Sequence, residues 1–182
     1  MVDQLTIQTI GVGIAVVSVV IGVVNSILMS RREDRRRELS LRNQEITLET
    51  RQAQLFMALY EHYNSIDYKK QAGSMYFHWE WSDVDDFMER YGPDGDADNY
   101  AVFSSVTSFY DGIGVLVKSG LVDVNLVSDI MSGSVTRLWE RFGLAIHGIR
   151  ERYRWPQYRE YLELLYNEIK PIVERQHPEL KT

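Results

Sequence analysis

The chain begins with a long apolar segment that contains no ionisable side chain. From Leu5 to Met29 there is no Asp, Glu, Lys, Arg or His. An α-helix rises about 1.5 Å per residue, so this segment would extend roughly 37 Å, enough to cross a hydrocarbon core of about 30 Å. Its Val and Ile residues favour strands in water, but within lipid only a helix pairs all of its own backbone groups. The pattern therefore predicts a transmembrane helix within residues 1–30.

The charges on either side of this segment indicate its orientation. A cleaved signal peptide carries positive charge before a shorter apolar region. Here the order is reversed, because Asp3 precedes the segment and the positive charges follow it, at Arg31, Arg32, Arg35, Arg36 and Arg37. Positively charged flanks stay in the cytoplasm and can contact anionic lipid headgroups. We therefore expect a single-pass protein of the plasma membrane, with a short external N-terminus and a cytoplasmic C-terminal domain.

Small residues recur on one face of the predicted transmembrane helix. They are separated by three or four positions and are Gly11, Ala15, Ser18, Gly22 and Ser26. Small side chains let two helix backbones approach closely, which favours association in lipid, where no hydrophobic effect drives helices together. Gly, Ala and Ser are also common in membrane helices, so chance spacing is the alternative explanation. We expect this face to be an oligomer contact.

A charged cytoplasmic linker helix is predicted over residues 31–63. No Pro or Gly occurs from Val23 to Ala72, so the membrane helix can continue into the cytoplasm without interruption. Leu41, Leu48 and Leu55 recur every seven residues, which is the repeat of a coiled coil. Polar residues at the interleaved inner positions weaken this seam, and a lone helix is the alternative. We favour a self-associating stalk.

Residues 64–182 are predicted to form a compact, cytoplasmic bundle of four or five helices. Apolar positions recur every three or four residues, and no alternating run of strand length stands out, so the fold class is all-α. The predicted boundaries are a helix start at Ser82, a cap at Asp96 or Asp98, a closing Gly120, a cap at Asp123, a stop near Gly133, a start at Ser134, Pro156 in the first turn of the last helix, and Pro171 bending or stopping that helix.

Composition narrows the classes of function. The net charge of −6 argues against a nucleic-acid binder, which would need a dominant basic face. The chain contains no cysteine, which excludes disulfides, thiolate zinc sites and cysteine nucleophiles. No cofactor fingerprint or nucleophile constellation stands out. We therefore expect no cofactor and no catalytic residues.

The acidic loop has part of the pattern of a calcium-binding loop. Asp94, Asp96 and Asp98 alternate, as ligands do in calcium-binding loops. An EF-hand needs Gly at the sixth position and Glu at the twelfth, but Asn99 and Ser105 stand there. Turn formation and helix capping explain the aspartates better. No two of the four histidines are close enough in sequence to form a ligand pair on one helix, so no metal ligand is predicted.

Aromatic and charged residues of the predicted bundle provide a candidate surface. Large rings usually close a core or an interface, although they can also form the wall of a pocket. Glycines within the helix after Asp96 indicate close helix packing, and the charged residues beside them can form a buried pair or a partner surface. The candidate ligand or partner surface comprises Trp79, Trp81, Asp111, Lys118, Arg137 and Trp139.

Three stretches of the chain resemble a known family. They are Trp79–Trp81 (WEW), Phe109–Asp123 (FYDGIGVLVKSGLVD) and Ser132–Glu140 (SGSVTRLWE). They are similar to a family of small prokaryotic proteins that is catalogued only as a domain of unknown function. Its members typically have an N-terminal membrane helix. The likeness covers roughly residues Phe56 to Ile169, implies the same architecture, and carries no activity or catalytic residues.

Two functions are consistent with the sequence. The first is a membrane-anchored homo-oligomer without enzymatic activity, acting as a scaffold, adaptor or accessory subunit, with membrane lipid and an unidentified protein as further partners. The alternative is a membrane-tethered sensor that binds a small ligand in an aromatic–acidic pocket of the cytoplasmic domain. A third, enzymatic interpretation would require a metal at the acidic cluster.

Overall fold

The computed structural model describes residues 4–178, with side chains described for residue 26, residues 29–30 and residues 33–178. This part of the chain forms six α-helices and no strand, so the predicted all-α fold is confirmed. The helices are α1 (Gln4–Asn64), α2 (Ile66–His78), α3 (Val84–Tyr91), α4 (Ala97–Lys118), α5 (Val124–Arg152) and α6 (Glu160–Gln176).

The chain divides into two units, Met1–Arg51 and Gln52–Thr182. In the first unit the backbone is helical from Gln4 onward, as expected where no Pro or Gly interrupts the linker. Ser26 is exposed. The other members of the predicted small-residue face lie outside the described side chains, as do most residues of the predicted membrane span; these members are Gly11, Ala15, Ser18 and Gly22.

Helix α4 is the central helix of the second unit. It packs against α2, α3, α5 and α6, and Phe103, Val106, Tyr110 and Ile113 on its inner face are fully buried. Among the residues whose side chains are described, α4 alone is long and apolar enough to cross a membrane. Because its apolar face packs within the bundle, that composition is the one expected of a central core helix.

Helix α5 continues through the position where the sequence predicted a break. We expected one helix to stop near Gly133 and another to start at Ser134, and this prediction is wrong. Met131 and Val135, one turn apart, are both buried. Burying an apolar side chain contributes about 1.5–3 kcal/mol, whereas a glycine within a helix costs about 1 kcal/mol. The continuous buried face therefore outweighs the glycine.

The start of α3 is shifted by one residue from the prediction. Asp83, not Ser82, is the N-cap residue, and its carboxylate accepts the backbone amide of Asp86 at 2.9 Å. The Asp86 carboxylate in turn accepts the backbone amide of Ser82 at 3.0 Å. The reciprocal arrangement resembles a capping box with Asp at both ends.

Both ends of α4 follow the predicted capping pattern. The Asp96 carboxylate accepts the backbone amide of Asn99 at 2.8 Å, so Asp96, one of the two proposed residues, is the N-cap. At the other end Gly120 has a φ of 68°, its amide donates to Val117 O, and the amide of Leu121 donates to Leu116 O. This is a Schellman motif, in which glycine adopts the left-handed conformation at little cost. Asp123 caps α5, also as predicted.

Helix α6 begins later than predicted. Pro156 lies in the preceding turn and not in the first helical turn, which starts at Glu160. Pro171 lies inside α6, which continues to Gln176, so this proline does not stop the helix. Ile169 and Ile172, on either side of it, are buried against the core and hold the helix in place.

The residue before α6 has an unusual backbone conformation. Arg159 has a φ of 57° and gives the helix no side-chain cap. Its guanidinium instead reaches α4, where Nε donates to Thr107 Oγ1 at 2.9 Å and Nη2 donates to Ser104 O at 3.2 Å. A left-handed residue other than glycine costs roughly 1–2 kcal/mol. The contacts to α4 offset that cost and fix the place where α6 begins.

Candidate functional site

The segment between α2 and α3 carries the first two candidate residues, Trp79 and Trp81. The Trp79 ring is 5% exposed and stacks on Tyr91, with 4.1 Å between ring centroids and 11° between planes. The Trp81 ring is partly buried and stacks on Phe142 of α5 at 4.9 Å. Trp79 also meets the edge of Phe142. The two tryptophans therefore belong to one closed aromatic cluster.

Arg141 of α5 holds this segment in place. Its guanidinium donates from Nη2 to the carbonyl oxygen of Trp79 at 2.5 Å. The same group lies over the Trp81 ring, 5.0 Å from the centroid. A cation over an indole face is attracted by the ring electrons. Arg141, which we did not select from the sequence, therefore fixes both tryptophans.

Asp111 of α4 caps the first turn of α6. Its Oδ1 accepts the backbone amides of Tyr161 and Leu162, each at 3.0 Å. The first amides of a helix have no partner within it, and a carboxylate is favoured there by hydrogen bonding and by the helix dipole. Asp111 therefore supplies the cap that Arg159 does not.

Lys118 and Gly114 contact the same residue of α6 as Asp111 does. The Lys118 ammonium lies 4.8 Å from the centroid of the Tyr161 ring. A Cβ on Gly114 would lie 2.1 Å from the Tyr161 carbonyl oxygen, whereas one on Gly112 would meet nothing within 4 Å. The predicted close packing is therefore present at Gly114 and not at Gly112. Asp111 and Lys118 therefore both contact residues of α6 and help to hold α4 and α6 together.

The two candidate residues of α5 point to different neighbours. Arg137 is exposed, with its guanidinium carbon 6.0 Å from the centroid of the Phe77 ring in α2. Trp139 packs against α6, where its ring lies 6.0 Å from that of Tyr166. The structure thus brings Trp79 with Trp81, and Asp111 with Lys118, but it does not gather all six candidates into one pocket.

The acidic loop is explained by caps and hydrogen bonds. Asp96 caps α4, which confirms the capping interpretation for that residue. Asp94 accepts a hydrogen bond from the Tyr153 hydroxyl. Partial burial, together with this carboxylate, raises the pKa of Tyr153 to about 12. No group of His, Asp or Glu able to hold a metal ion occurs among the residues whose side chains are described.

The neighbouring acidic residues are also engaged. Asp85 pairs with Arg152 and Asp86 pairs with Arg90, each at 2.5 Å. The backbone amide of Asp86 holds the pKa of the Asp83 carboxyl below its usual value. These carboxylates therefore act in helix caps and surface ion pairs.

A cleft of about 360 Å³ lies between α2, α4, α5 and the C-terminal end of α1. Its hydroxyl groups come from four tyrosines and a serine. The Tyr63 and Ser134 hydroxyls lie 2.9 Å apart, and the Tyr76 hydroxyl donates to the Ser134 carbonyl oxygen at 3.4 Å. We refer to this feature as the tyrosine cleft, and its hydroxyl-bearing residues are Tyr63, Tyr68, Tyr76, Tyr110 and Ser134.

Two hydroxyls of the tyrosine cleft have no hydrogen-bond partner among the described residues. Tyr68 is 3% exposed and Tyr110 is fully buried. Neither hydroxyl makes a hydrogen bond of good geometry, although the two groups interact weakly with each other and the Tyr110 hydroxyl interacts weakly with Ser134. Burial raises the pKa of Tyr68, Tyr76 and Tyr110 far above that of an exposed tyrosine. The phenols therefore stay protonated and remain able to donate a hydrogen bond.

The rim of the tyrosine cleft is cationic. Arg137 and Lys69 line it, and among the described residues no Asp or Glu does. The Arg137 charge is close enough to lower the pKa of Tyr76, against the larger effect of burial. The Lys69 ammonium donates to Asn64 Oδ1 at 2.9 Å. Glu140 lies in an adjoining surface groove that also contains Arg137.

The apolar residues of α1 before position 51 form a second candidate site. Leu41 is 66% exposed and Leu48 is 58% exposed. Leu39 and Ile46 are exposed to a similar degree, but each lies two positions from one of these leucines and therefore on a different face of the helix. Leu55, the third leucine of the predicted repeat, is partly buried and packs against the core of the second unit. Of the three leucines in the seven-residue repeat, Leu41 and Leu48 are therefore exposed, whereas Leu55 packs in the bundle.

Sequence reasoning missed most of the tyrosine cleft. Only Arg137 was among the candidate residues, since the tyrosines lie on three different helices and show no common spacing. Tyr68 and Tyr76, eight positions apart on α2, carry a weak signal of a shared face. The convergence of the hydroxyls is a property of the packed bundle.

A comparison with protein families gives one match. The model of a family described as a domain of unknown function (DUF4760) matches residues 48–169, about two thirds of the 182-residue chain. All three stretches on which the resemblance was based lie within it, so the predicted membership of an uncharacterised family is confirmed. No curated protein and no solved structure matches the chain. The prokaryotic distribution and the membrane helix of that family remain predictions.

Proposed function

We propose that this chain, which belongs to the DUF4760 family, is a membrane-anchored, self-associating helical scaffold, adaptor or accessory subunit. The observation that carries the proposal is the exposure of Leu41 and Leu48 on α1, one heptad apart. Apolar side chains that recur every seven residues on a charged helix are typical of a seam that a second helix covers. The partner is a second copy of this chain.

The charge pattern of the N-terminal segment supports the membrane part of the proposal. An uncharged stretch from Leu5 to Met29 is followed by five arginines and preceded by Asp3. Such a segment crosses the bilayer with its basic flank in the cytoplasm. The protein would then present its helical domain at the inner face of the plasma membrane.

The tryptophan cluster favours this function over a sensor that binds its ligand there. Trp79 and Trp81 are stacked on Tyr91 and Phe142, and Arg141 covers the second ring. Because the faces of Trp79 and Trp81 are already in contact with other side chains, little of their ring surface is left for a ligand. Their role in the proposal is to stabilise the domain that the stalk carries.

The mass of the full-length protein in mild detergent tests self-association. We expect a multiple of the 21.2 kDa protomer. The double variant Leu41→Gln, Leu48→Gln should shift the mass toward the protomer, because polar side chains weaken an apolar seam. The matched control Asn43→Gln, Thr50→Gln lies on the opposite face of α1 and should keep the oligomer. A wild-type protein that is monomeric would overturn the proposed self-association.

The small-residue face is tested separately by Gly22→Leu. A bulky side chain on that face should reduce oligomerisation, because it keeps the helix backbones apart. Comparing the stalk variant (Leu41→Gln, Leu48→Gln) with the membrane-segment variant (Gly22→Leu) then shows which segment holds the oligomer together. An unchanged mass for Gly22→Leu would mean that the membrane segment does not contribute.

Single-cysteine variants test the topology, and the absence of native cysteine makes the labelling unambiguous. A cysteine at position 3, in Asp3→Cys, should react with an impermeant thiol reagent applied to intact cells. Asp98→Cys, on an exposed residue of α4, should react only after the membrane is opened. The reverse pattern would contradict the proposed orientation.

A further inference from the structure

We propose that the tyrosine cleft is a binding site for a small organic anion, a carboxylate carried on an apolar or aromatic body. This inference is independent of membrane anchoring and self-association, since all of the cleft residues lie within the unit Gln52–Thr182.

The hydroxyls define what the ligand must supply. Tyr68 and Tyr110 are buried and unpartnered among the described residues, and both line the cleft. A buried donor without a well-formed hydrogen bond destabilises a fold, so a chain that keeps two of them side by side gains when one acceptor binds to both. Both phenols are held in the protonated form. The complementary group is therefore one that can accept two hydrogen bonds, such as a carboxylate.

The charge of the rim favours an anion over a neutral acceptor. Arg137 and Lys69 are the charged residues of the lining, and both are cations. The guanidinium of Arg137 also affects Tyr76 electrostatically, which places it near the polar part of the cleft. Hydrogen bonds to a charged acceptor are roughly twice as strong as those to a neutral one.

The apolar walls of the tyrosine cleft indicate that the rest of the ligand is apolar. Ala72, Phe77 and Ile130 supply apolar surface beside the tyrosine rings. A cavity of about 360 Å³ is in the lower range for small-molecule sites. It accommodates a ring or a short aliphatic chain together with the carboxylate, so an inorganic anion would leave the apolar surface uncovered.

The test uses the full-length protein in mild detergent with benzoate as the probe. Benzoate in the millimolar range should raise the melting temperature by preferential binding to the folded state. Benzamide has the same shape without the charge and should raise it less. Inorganic phosphate is the third probe. An equal response to benzamide, an equal response to phosphate, or no response to benzoate would each overturn the proposal.

Two variants connect binding to the hydroxyls. Tyr68→Phe and Tyr110→Phe remove one hydroxyl each and keep the ring. Each should raise the melting temperature of the protein without probe, because an unpartnered buried hydroxyl is lost. Each should also weaken benzoate binding by about tenfold or more, since one charge-assisted hydrogen bond is removed. Unchanged benzoate affinity in both variants would exclude the cleft as the binding site.

The chain offers a matched control in Tyr158→Phe. The Tyr158 hydroxyl is also buried and unpartnered among the described residues, but Tyr158 does not line the tyrosine cleft. This variant should gain stability in the same way and bind benzoate as the wild type does. Arg137→Gln should weaken benzoate binding severalfold and leave benzamide binding unchanged. Loss of benzoate binding in Tyr158→Phe would show that the effect is not specific to the cleft.

Discussion

Asp111 accepts the backbone amide of Tyr161 at 3.0 Å, although the two residues are fifty positions apart in the chain. A carboxylate on one helix thereby caps another, and no side chain of the flanking turn does so. Capping residues usually precede the helix that they cap, so the contact makes the start of α6 dependent on α4.

Replacing Asp111 should destabilise the protein through α6. Asp111→Ala leaves the amides of Tyr161 and Leu162 without their acceptor and should lower the free energy of unfolding by about 1–2 kcal/mol. Asp111→Asn keeps a carbonyl oxygen at the same place and should lose less, because one acceptor remains. Urea unfolding followed by circular dichroism measures both values. Equal losses in the two variants would show that the charge, and not the hydrogen bonds, matters.

The two glycines of α4 should respond to alanine in opposite directions. Gly114→Ala places a methyl group against the backbone carbonyl of Tyr161, and it should destabilise the protein by about 1–3 kcal/mol, as overpacking does. Gly112 has open space around it, and Gly112→Ala should stabilise by up to about 1 kcal/mol through helix propensity. Thermal unfolding of the pair provides the measurement. A stable Gly114→Ala variant would contradict the close contact between α4 and α6.

The continuity of α5 predicts the effect of substituting Gly133. A Cβ at this position meets nothing within 4 Å, and the residue lies inside a helix. Gly133→Ala should therefore raise the free energy of unfolding by roughly 0.5–1 kcal/mol. The glycine that ends α4 is the control: Gly120→Ala should destabilise, because Gly120 has a φ of 68°. Destabilisation by Gly133→Ala would favour a helix break at that position.

Stability should fall at alkaline pH. Tyrosines of the unfolded chain lose their protons at a pH of about 10, whereas burial raises the pKa of Tyr68, Tyr76, Tyr110 and Tyr158 in the folded protein. The unfolded state therefore binds fewer protons above that pH, and the stabilisation present below it is lost as the pH rises. Tyrosinate absorbance should show these residues ionising only on unfolding. Their ionisation while circular dichroism remains native would contradict the burial.

Tyr153 provides an internal reference in the same titration. Tyr153 is partly exposed and its hydroxyl donates a hydrogen bond to Asp94. Its pKa is raised to about 12. Asp94→Asn removes the negative charge and should lower that pKa toward the ordinary value, without moving the titration of the buried tyrosines. No change on substitution would assign the shift to burial alone.

Local signals in the sequence were sufficient for much of the fold. The caps at Asp96 and Asp123 and the closing glycine at Gly120 were predicted, because each acts on amides or carbonyls within a few positions of itself. The start at Ser82 and the break at Gly133 were wrong. At the first position the neighbouring Asp83 is the N-cap in place of Ser82. At the second position a continuous buried face stabilises the helix across Gly133.

The candidate site was less accessible to sequence reasoning. Asp111 was selected as a charge within an apolar helix, but its partners are backbone amides, which leave no mark in a sequence. The tyrosine cleft depends on how α2, α4 and α5 are arranged. Tyr68 and Tyr110 each look like ordinary core aromatics, and only their packing shows that their hydroxyls make no hydrogen bond of good geometry with a described residue.

Helix α6 also determines when the domain can fold. It packs more extensively against α4 and α5 than these two helices pack against each other, and the ribosome completes it after both. Until residues 160–176 emerge, the surfaces of α4 and α5 that α6 covers in the folded domain are open to aggregation or to chaperones. The bundle then closes in a late step that joins distant parts of the chain. A nascent chain that stalls before Leu162 would carry most of the core residues and yet lack the helix that brings them together.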